Sequence, residues 1–190
     1  RSQRGDDWVS GDLGDDELHG NRGSDSIFGG EGSDTAYGGK DDDWVDGGEG
    51  DDELHGNRGS DTVRGGEGND TVYGGRDNDL VRGEEGDDQV FGGQGFDNVR
   101  GGDGNDSVYG GRDDDLVLGE EGNDLVSGNR GNDTVLGGAG DDMVYGGKGD
   151  DLIEGGAGND LLEGGQGADI FHFEFFESET FIADGTEIGR

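Results

Sequence analysis

The sequence predicts an all-β fold, a parallel β-solenoid in which short strands stack as coils. Three observations lead to this prediction: an unbroken nine-residue repeat, an aspartate at one fixed position, and an inward apolar residue two places later. The stretch GGEGNDTVY at residues 65–73 is a typical unit. With Ser2 as position 1, the frame runs to His172 as 19 units without insertion or deletion. A fixed short period of this kind is typical of solenoids.

Each unit divides into a turn and a strand. Position 1 is Gly in 18 of 19 units and position 4 is Gly in 16, so positions 1 to 6 predict a turn with close backbone approach. Positions 7 to 9 are rich in β-forming residues and predict a three-residue strand whose middle side chain points inward. Such a strand is stable only when equivalent strands stack on it. Two units then make one coil, and 19 units make about 9.5 coils.

The charge of the chain indicates a cation as its partner. The 190 residues include 49 Asp and Glu but only 13 Lys and Arg, which gives a formal net charge of −36. This excess argues against nucleic acid and anionic membranes as partners. No apolar run is long enough to insert across a membrane. The chain has no Cys, so disulfides and thiolate metal sites are excluded.

Position 6 carries the predicted metal ligands, because it is Asp in every unit. Stacked coils would bring these carboxylates to about 4.8 Å from one another, where unpaired charges repel. A hard cation between them turns repulsion into cohesion, and flexible oxygen-only ligation favours Ca²⁺ over Mg²⁺. The predicted ligands are Asp7, Asp16, Asp25, Asp34, Asp43, Asp52, Asp61, Asp70, Asp79, Asp88, Asp97, Asp106, Asp115, Asp124, Asp133, Asp142, Asp151, Asp160 and Asp169.

The unit resembles G-G-x-G-x-D-x-U-x, the nonapeptide of the RTX, or hemolysin-type, calcium-binding proteins. The resemblance covers about 90% of the chain. It implies a right-handed parallel β-roll with Ca²⁺ between successive turns, held by the position-6 aspartates and by carbonyl groups of positions 1 to 5. It also implies type I secretion to the extracellular space or the bacterial cell surface. One ion between each adjacent pair of turns gives up to about 17 Ca²⁺, which would nearly balance the formal charge of −36.

The frame ends at His172, and the remaining residues have another character. Six of them are large and apolar: Phe173, Phe175, Phe176, Phe181, Ile182 and Ile188. Since a solenoid needs a cover over its last coil, we expect an aromatic-rich cap over 173–190, after a β-roll over 1–172. Alternation over 170–175 predicts a last strand, and Asp184-Gly185 predicts a hairpin turn.

Position 3 is sorted by charge between alternate units. The basic edge, from odd units, comprises Arg4, Arg22, Lys40, Arg58, Arg76, Gln94, Arg112, Arg130, Lys148 and Gln166. The acidic edge, from even units, comprises Leu13, Glu31, Glu49, Glu67, Glu85, Asp103, Glu121, Ala139 and Ala157. Two interpretations stay open: compensation by neighbouring charges within one chain, or lateral self-association, basic edge to acidic edge. End-to-end stacking of copies is a further expectation.

Two smaller departures also leave alternatives open. Asp replaces Gly at position 4 in Asp41, Asp77 and Asp113, which are 36 residues apart. Because Asp tolerates positive φ better than most residues, we expect intact turns there, either as drift or as modified sites. Outward aromatic residues such as Tyr37 and Tyr73 form either an interaction surface or an ordinary strand surface.

The sequence favours a structural function over catalysis. It contains no H-E-x-x-H, G-x-S-x-G or P-loop motif, and so we expect no enzyme. The predicted function is a calcium-folded structural module of a secreted or cell-surface bacterial protein, which mediates extracellular assembly or adhesion. The alternative is the C-terminal secretion and folding tail of a larger secreted enzyme or RTX toxin.

Overall fold

The computed structural model describes residues 4–173, 180–183 and 186–189, and over these residues every regular element is a β-strand. From β1 to β20 the strands are assigned alternately to two sheets, and each strand from β1 to β18 pairs in parallel with the strand two places along the chain. Each coil therefore contributes one strand to each sheet, which confirms the predicted β-solenoid with two nonapeptides per coil. No helix able to cross a membrane is present in this part of the chain.

In the described part of the chain, sheet A contains ten strands: β1 (Trp8–Leu13), β3 (Ser26–Glu31), β5 (Trp44–Glu49), β7 (Thr62–Glu67), β9 (Leu80–Glu85), β11 (Asn98–Asp103), β13 (Leu116–Glu121), β15 (Thr134–Ala139), β17 (Leu152–Ala157) and β19 (Ile170–His172). Over the same residues, sheet B contains eleven: β2 (Glu17–His19), β4 (Thr35–Lys40), β6 (Glu53–Arg58), β8 (Thr71–Arg76), β10 (Gln89–Gln94), β12 (Ser107–Arg112), β14 (Leu125–Arg130), β16 (Met143–Lys148), β18 (Leu161–Gln166), β20 (Thr180–Ala183) and β21 (Thr186–Gly189).

The strands are longer than the three residues predicted from the sequence. From β3 to β18 each has six residues, because the ladder continues through positions 1 to 3 of the next unit. Between β10 and β12, for example, Gly93 pairs with Gly111 and Gln94 with Arg112. The prediction of a turn over positions 1 to 6 is therefore wrong for positions 1 to 3, and the turn itself is limited to positions 4 to 6.

Position 1 is Gly because the chain is crowded at the inner surface of the sheet. A Cβ atom at Gly92 would lie 2.6 Å from the carbonyl oxygen of Gly110 in the next coil and 2.7 Å from Oδ2 of Asp97. Real Cβ atoms do not approach other atoms so closely, so glycine is the residue that fits. Because glycine has no side chain, the next coil and the position-6 carboxylate can both approach the backbone at position 1.

The core is a single file of position-8 side chains from each sheet, as predicted. These side chains are fully buried from Ile27 to Leu162, and Val9 and Phe171 pack against the two ends of the file. The core is thin, because each nonapeptide contributes only one apolar side chain to it. On two sides the core is bordered by the turns that carry the aspartates. The stability of the coils therefore depends on how those turns are held.

The outer face of sheet B carries a continuous stack of aromatic rings at position 9. The rings of His19, Tyr37, His55, Tyr73, Phe91 and Tyr109 follow one another with centroids 4.7–5.1 Å apart and planes within 12°. This spacing matches that of neighbouring strands, so parallel pairing alone brings the rings into register. Each inner ring is covered on both faces by its neighbours.

The C-terminal residues continue sheet B. Strand β20 pairs in parallel with β18 and in antiparallel fashion with β21. The predicted hairpin turn at Asp184-Gly185 and the predicted strand residues after Phe173 lie outside the described residues, as do Phe175 and Phe176. The division into a β-roll and a cap thus stays a prediction, consistent with the described strand pairing.

Substitution of the core leucine in β6 should destabilise the solenoid more than the same substitution on its surface. Leu54 is fully buried, whereas Leu152 in β17 is 42% exposed. We expect Leu54→Ala to cost about 2–5 kcal/mol of unfolding free energy, because it leaves a cavity, and Leu152→Ala to cost less than about 1 kcal/mol. Urea unfolding of both variants in calcium buffer, followed by circular dichroism, measures the difference. Equal losses would contradict the assignment of position 8 to the core.

Candidate calcium sites

The position-6 aspartates are buried along both turns of the solenoid. Sixteen of them, from Asp25 to Asp160, have only 1–4% of their surface exposed. The three at the ends, Asp7, Asp16 and Asp169, are partly exposed. Carboxylates are rarely buried without a partner, because loss of hydration penalises the charged form. A column of buried aspartates on each turn therefore requires an interaction that compensates for dehydration.

From Asp25 to Asp169, one carboxylate oxygen of each position-6 aspartate accepts a hydrogen bond from the preceding coil. The backbone N–H of Asp88 donates to Oδ1 of Asp106 at 2.8 Å, and the N–H of Asp106 donates to Oδ1 of Asp124 at 2.8 Å. The same bond recurs on both turns from the pair Asp7–Asp25 to the pair Asp151–Asp169, at 2.7–3.1 Å. The aspartates thus join each turn to the next turn on the same side.

The other carboxylate oxygen has no hydrogen-bond donor. In the fifteen aspartates from Asp25 to Asp151, Oδ2 is inaccessible to solvent and lacks a hydrogen-bond partner within the described chain. This oxygen lies in the space beside the position-1 glycine, where a Cβ atom at Gly74 would be 2.7 Å from both Oδ2 of Asp79 and the carbonyl oxygen of Gly92. A carboxylate oxygen and a main-chain oxygen of the next coil therefore approach the same space.

These oxygens fit a hard cation. The donors are carboxylate and carbonyl groups only, the ligand set that Ca²⁺ prefers. Within the described ranges, no three acidic or histidine side chains converge to form a metal cluster. An ion at this place would therefore take most of its ligands from main-chain oxygens of the turns. The structure brings the predicted aspartates into columns, and it presents one unsatisfied oxygen per coil on each turn.

Burial raises the pKa of each position-6 aspartate from Asp25 to Asp151 above the usual range. Loss of hydration is the largest cause, and it raises the pKa of Asp79 and of Asp115 to about 8. In these two, the backbone N–H bond from the preceding coil lowers the pKa, while the carboxylates one coil away raise it. Asp77 and Asp113, at position 4 of the same turns, also raise these two values. Without a cation, Asp79 and Asp115 therefore hold protons at neutral pH.

A second hydrogen-bond ladder, not predicted from the sequence, lies at position 5. The N–H of Asn69 donates to Oδ1 of Asp51 at 2.9 Å, and the N–H of Asp87 donates to Oδ1 of Asn69 at 2.9 Å. This ladder runs in the direction opposite to that of position 6. Its signal was present in the sequence, since position 5 is Asp, Asn or Ser in 17 of 19 units, the residues whose side chains accept from turn N–H groups.

The position-5 carboxylates are exposed and differ from those of position 6. Hydrogen bonds from Asn105 lower the pKa of Asp87, and bonds from Asn159 lower the pKa of Asp141. These groups are therefore charged acceptors at the surface of the turn. They supply a natural control for the buried column, because Asp87 and Asp88 are adjacent in sequence and have opposite environments.

The substituted turns adopt the predicted backbone. Asp41, Asp77 and Asp113 have φ angles of 75°, 74° and 75°, as expected where Asp replaces Gly at position 4. Non-glycine residues also have positive φ at position 2, which was not predicted from the sequence: Glu84 and Glu120 both have φ of 86°. The carboxylates of Glu84 and Glu120 form ion pairs with arginines of sheet A. In one of these pairs, Nη1 of Arg100 lies 3.0 Å from Oε1 of Glu120.

The metal-free solenoid should lose stability as the pH rises. The aspartates have a pKa of 3.8 when unfolded and, for Asp79 and Asp115, about 8 when folded. Between these values the folded state binds more protons than the unfolded state, so stability falls from about pH 4 to about pH 8. In chelator, circular dichroism should show more β-structure at pH 4 than at pH 8. An equal or stronger β-signal at pH 8 would show that the buried carboxylates do not control the metal-free fold.

Comparison with known proteins agrees with this geometry. A family model described as RTX calcium-binding nonapeptide repeat (4 copies) matches eight overlapping stretches: 3–36, 28–63, 55–90, 64–99, 82–117, 91–126, 118–153 and 145–174. A search among curated proteins finds no significant match. The matched stretches cover residues 3–174 without a gap, and they include all the stacked strands from β1 to β19 with their buried aspartates. The chain therefore belongs to the RTX calcium-binding nonapeptide repeat family.

Proposed function

We propose that this chain is a calcium-folded structural module of an exported bacterial protein. The observation that carries the proposal is the column of buried, unsatisfied Oδ2 atoms on each turn. A buried carboxylate oxygen without a donor needs either a proton or a cation, and Ca²⁺ is the cation that the family binds. The ions would lie between successive turns and hold the coils to one another.

The position-6 aspartates from Asp7 to Asp169 are the proposed carboxylate ligands, and turn carbonyl groups supply the remaining oxygens. Seventeen adjacent pairs along the two turns give up to about 17 ions, the same pairs that the N–H to Oδ1 bonds connect. Seventeen Ca²⁺ would add 34 positive charges to the formal net charge of −36 and leave about −2. A nearly neutral loaded rod no longer repels itself.

Calcium then acts as a folding switch. Where calcium is scarce, the charged chain is extended, because its thin core cannot overcome the repulsion of 49 acidic residues. In calcium-rich surroundings outside the cell, ligation stabilises the coils. Each aspartate contacts sites on two neighbouring coils, so filling of one site favours filling of the next. The module contributes structure, not catalysis.

The folded rod serves extracellular assembly or adhesion in this proposal. Parallel pairing places the members of each charged edge directly opposite one another, as Arg58 and Arg76 on sheet B and Glu49 and Glu67 on sheet A. Like charges so placed are unfavourable within one chain unless something outside it compensates. Lateral self-association, basic edge to acidic edge, supplies that compensation; end-to-end stacking of copies is the alternative geometry.

Calcium, and not magnesium, should convert the chain from coil to β-structure. The expected result of a Ca²⁺ titration followed by far-ultraviolet circular dichroism is a steep transition, because neighbouring sites share aspartates. Mg²⁺ should give little change, since it demands a small octahedral site and retains its water ligands. A full β-spectrum at pH 8 in chelator, or an equal response to Mg²⁺, would contradict the proposal.

Asp88→Asn should remove bound calcium, and the adjacent Asp87→Asn should not. Both variants lose one negative charge, but Asp88 is buried in the position-6 column and Asp87 is an exposed position-5 acceptor. Asp88 belongs to the pairs Asp70–Asp88 and Asp88–Asp106, so its loss should cost about two ions. Calcium content after gel filtration, measured by atomic emission, counts them. Equal calcium loss in the two variants would contradict the assignment of the position-6 aspartates as the calcium ligands.

A further inference from the structure

Among the described residues, the charged side chains of the two edges have no ion-pair partners. In the described part of the molecule, none of the charged residues of either edge takes part in an ion pair, although arginines elsewhere on sheet A do. On the basic edge these residues include Lys40, Arg58, Arg76, Arg112, Arg130 and Lys148; on the acidic edge they are Glu31, Glu49, Glu67, Glu85, Asp103 and Glu121. Compensation by ion pairs within one chain is therefore not what the structure shows.

A second copy of this chain matches the charge spacing of both edges. Each edge has one residue per coil, and its members are aligned by the sheet register, as Lys40 with Arg58 and Glu31 with Glu49. A partner must therefore present opposite charges at one coil spacing, about 4.8 Å, over several coils. A second copy has that spacing on both of its edges, so the two rods stay in register along their length.

The two edges lie at diagonally opposite corners of the rod. The basic edge is at the end of the sheet B strands, and the acidic edge is at the end of the sheet A strands. Because the chain passes along sheet A, turns, and returns along sheet B, these strand ends point in opposite directions. A six-residue strand, about 17–20 Å in length, separates the two edges across the width of the rod.

We infer that copies of the rod pack face to face, sheet B against sheet A of the next copy, with their axes antiparallel. The topology decides the direction. A copy that is merely translated presents its acidic edge one strand length away from the basic edge that it should meet. Rotation of that copy by a half turn, about the normal to its sheets, keeps sheet A facing sheet B and brings the acidic edge under the basic edge. The same rotation reverses the axis of the rod.

Antiparallel packing opposes five cations to five carboxylates. With the described coils fully overlapped, Arg58 meets Asp103, Arg76 meets Glu85 and Arg112 meets Glu49, while Lys40 and Arg130 meet Glu121 and Glu31. Registers displaced by one coil give a similar number of pairs. The charges are accessible for such contacts: on sheet B, Gly39 and Asn57 leave an open groove of about 460 Å³ beside Lys40, Arg58 and Arg76.

Side-by-side packing through the turns is less favourable. The rims of the turns carry exposed acidic residues at position 5, among them Asp42 and Asp114 on one side and Asp51 and Asp87 on the other. Contact between rims would oppose carboxylates to carboxylates, which costs free energy. Face-to-face packing keeps both rims in solvent.

The contact joins two different faces and is therefore heterologous. Each copy that uses its sheet B face still has a free sheet A face, so association does not close at a dimer and continues as an open stack. This inference rests on the proposed function, because only the folded, calcium-loaded rod presents the two edges. To that proposal it adds that the partner is a second copy of the chain, that neighbouring rods are antiparallel, and that the stack is open-ended.

Charge-swapped variants test the inference. One variant carries Arg76→Glu, Arg112→Glu and Arg130→Glu, and the other carries Glu85→Lys, Glu49→Lys and Glu31→Lys, so that every exchanged charge meets an exchanged partner in the mixture. In saturating calcium, sedimentation velocity should show concentration-dependent growth of the wild type that weakens at high salt. Each variant alone should associate at least about tenfold more weakly, because like charges are opposed. An equimolar mixture should restore association, since each variant then complements the other.

Cysteine cross-linking tests the direction, because the chain has no native Cys. A mixture of Arg112→Cys and Glu49→Cys chains should be joined by a short bismaleimide reagent, whereas Arg112→Cys with Asp103→Cys should not. Cross-linking of the second pair alone would overturn the antiparallel arrangement.

Circular dichroism of every sample separates the two possible failures. If calcium produces no β-structure, the proposed function is wrong. If the wild type folds with calcium but remains a monomer at low salt, the inference about self-association is wrong. Loss of growth in the arginine variant without loss in the glutamate variant would also overturn it, since the basic edge would then meet some other anionic surface.

Discussion

The division of each position-6 carboxylate into one bonded and one unsatisfied oxygen is the interaction on which the structure depends. Oδ1 of Asp106 accepts the N–H of Asp88 and thereby sets the distance between coils. Oδ2 is turned toward the position-1 glycine, where no side chain can stand. Burial of the carboxylate, the glycine beside it and the close approach of coils are consequences of one another. A neutral side chain such as Asn at position 6 could still accept the N–H bond through its Oδ1. It would no longer have the second carboxylate oxygen that calls for a cation.

The energetics of the rod are one-dimensional. Each coil packs mainly on the coils before and after it, so stability is a sum of short-range terms. The apolar term is small, because one position in nine is fully buried as a core side chain. The polar terms are of two kinds, backbone ladders in the sheets and side-chain ladders in the turns. Both repeat with every coil, which explains how the same nine-residue pattern can be extended without a new core.

The sequence predicted the period and the aspartate column from strict residue identity, and the inward position 8 from the apolar character that every unit keeps there. It did not predict the six-residue strands, since glycine has low β-propensity and Gly93 and Gly111 reach the ladder only through stacking. The position-5 ladder was missed because a mixture of Asp, Asn and Ser is also ordinary turn composition. Ring stacking from His19 to Tyr109 was likewise invisible, because a sequence gives residue spacing but not ring orientation.

The aromatic stack gives the rod a mechanical property. Its rings lie face to face along the axis, and each inner ring, such as His55, is clamped between two others. Twisting or bending one coil relative to the next must therefore slide one ring across another on the sheet B face, whereas on sheet A the comparable stack is limited to Trp8 and Phe28 within the described residues. The rod is consequently stiffer toward sheet B than toward sheet A over the coils that carry the stack. An applied load would be shared unequally between the two faces, because the stacked rings stiffen the sheet B face.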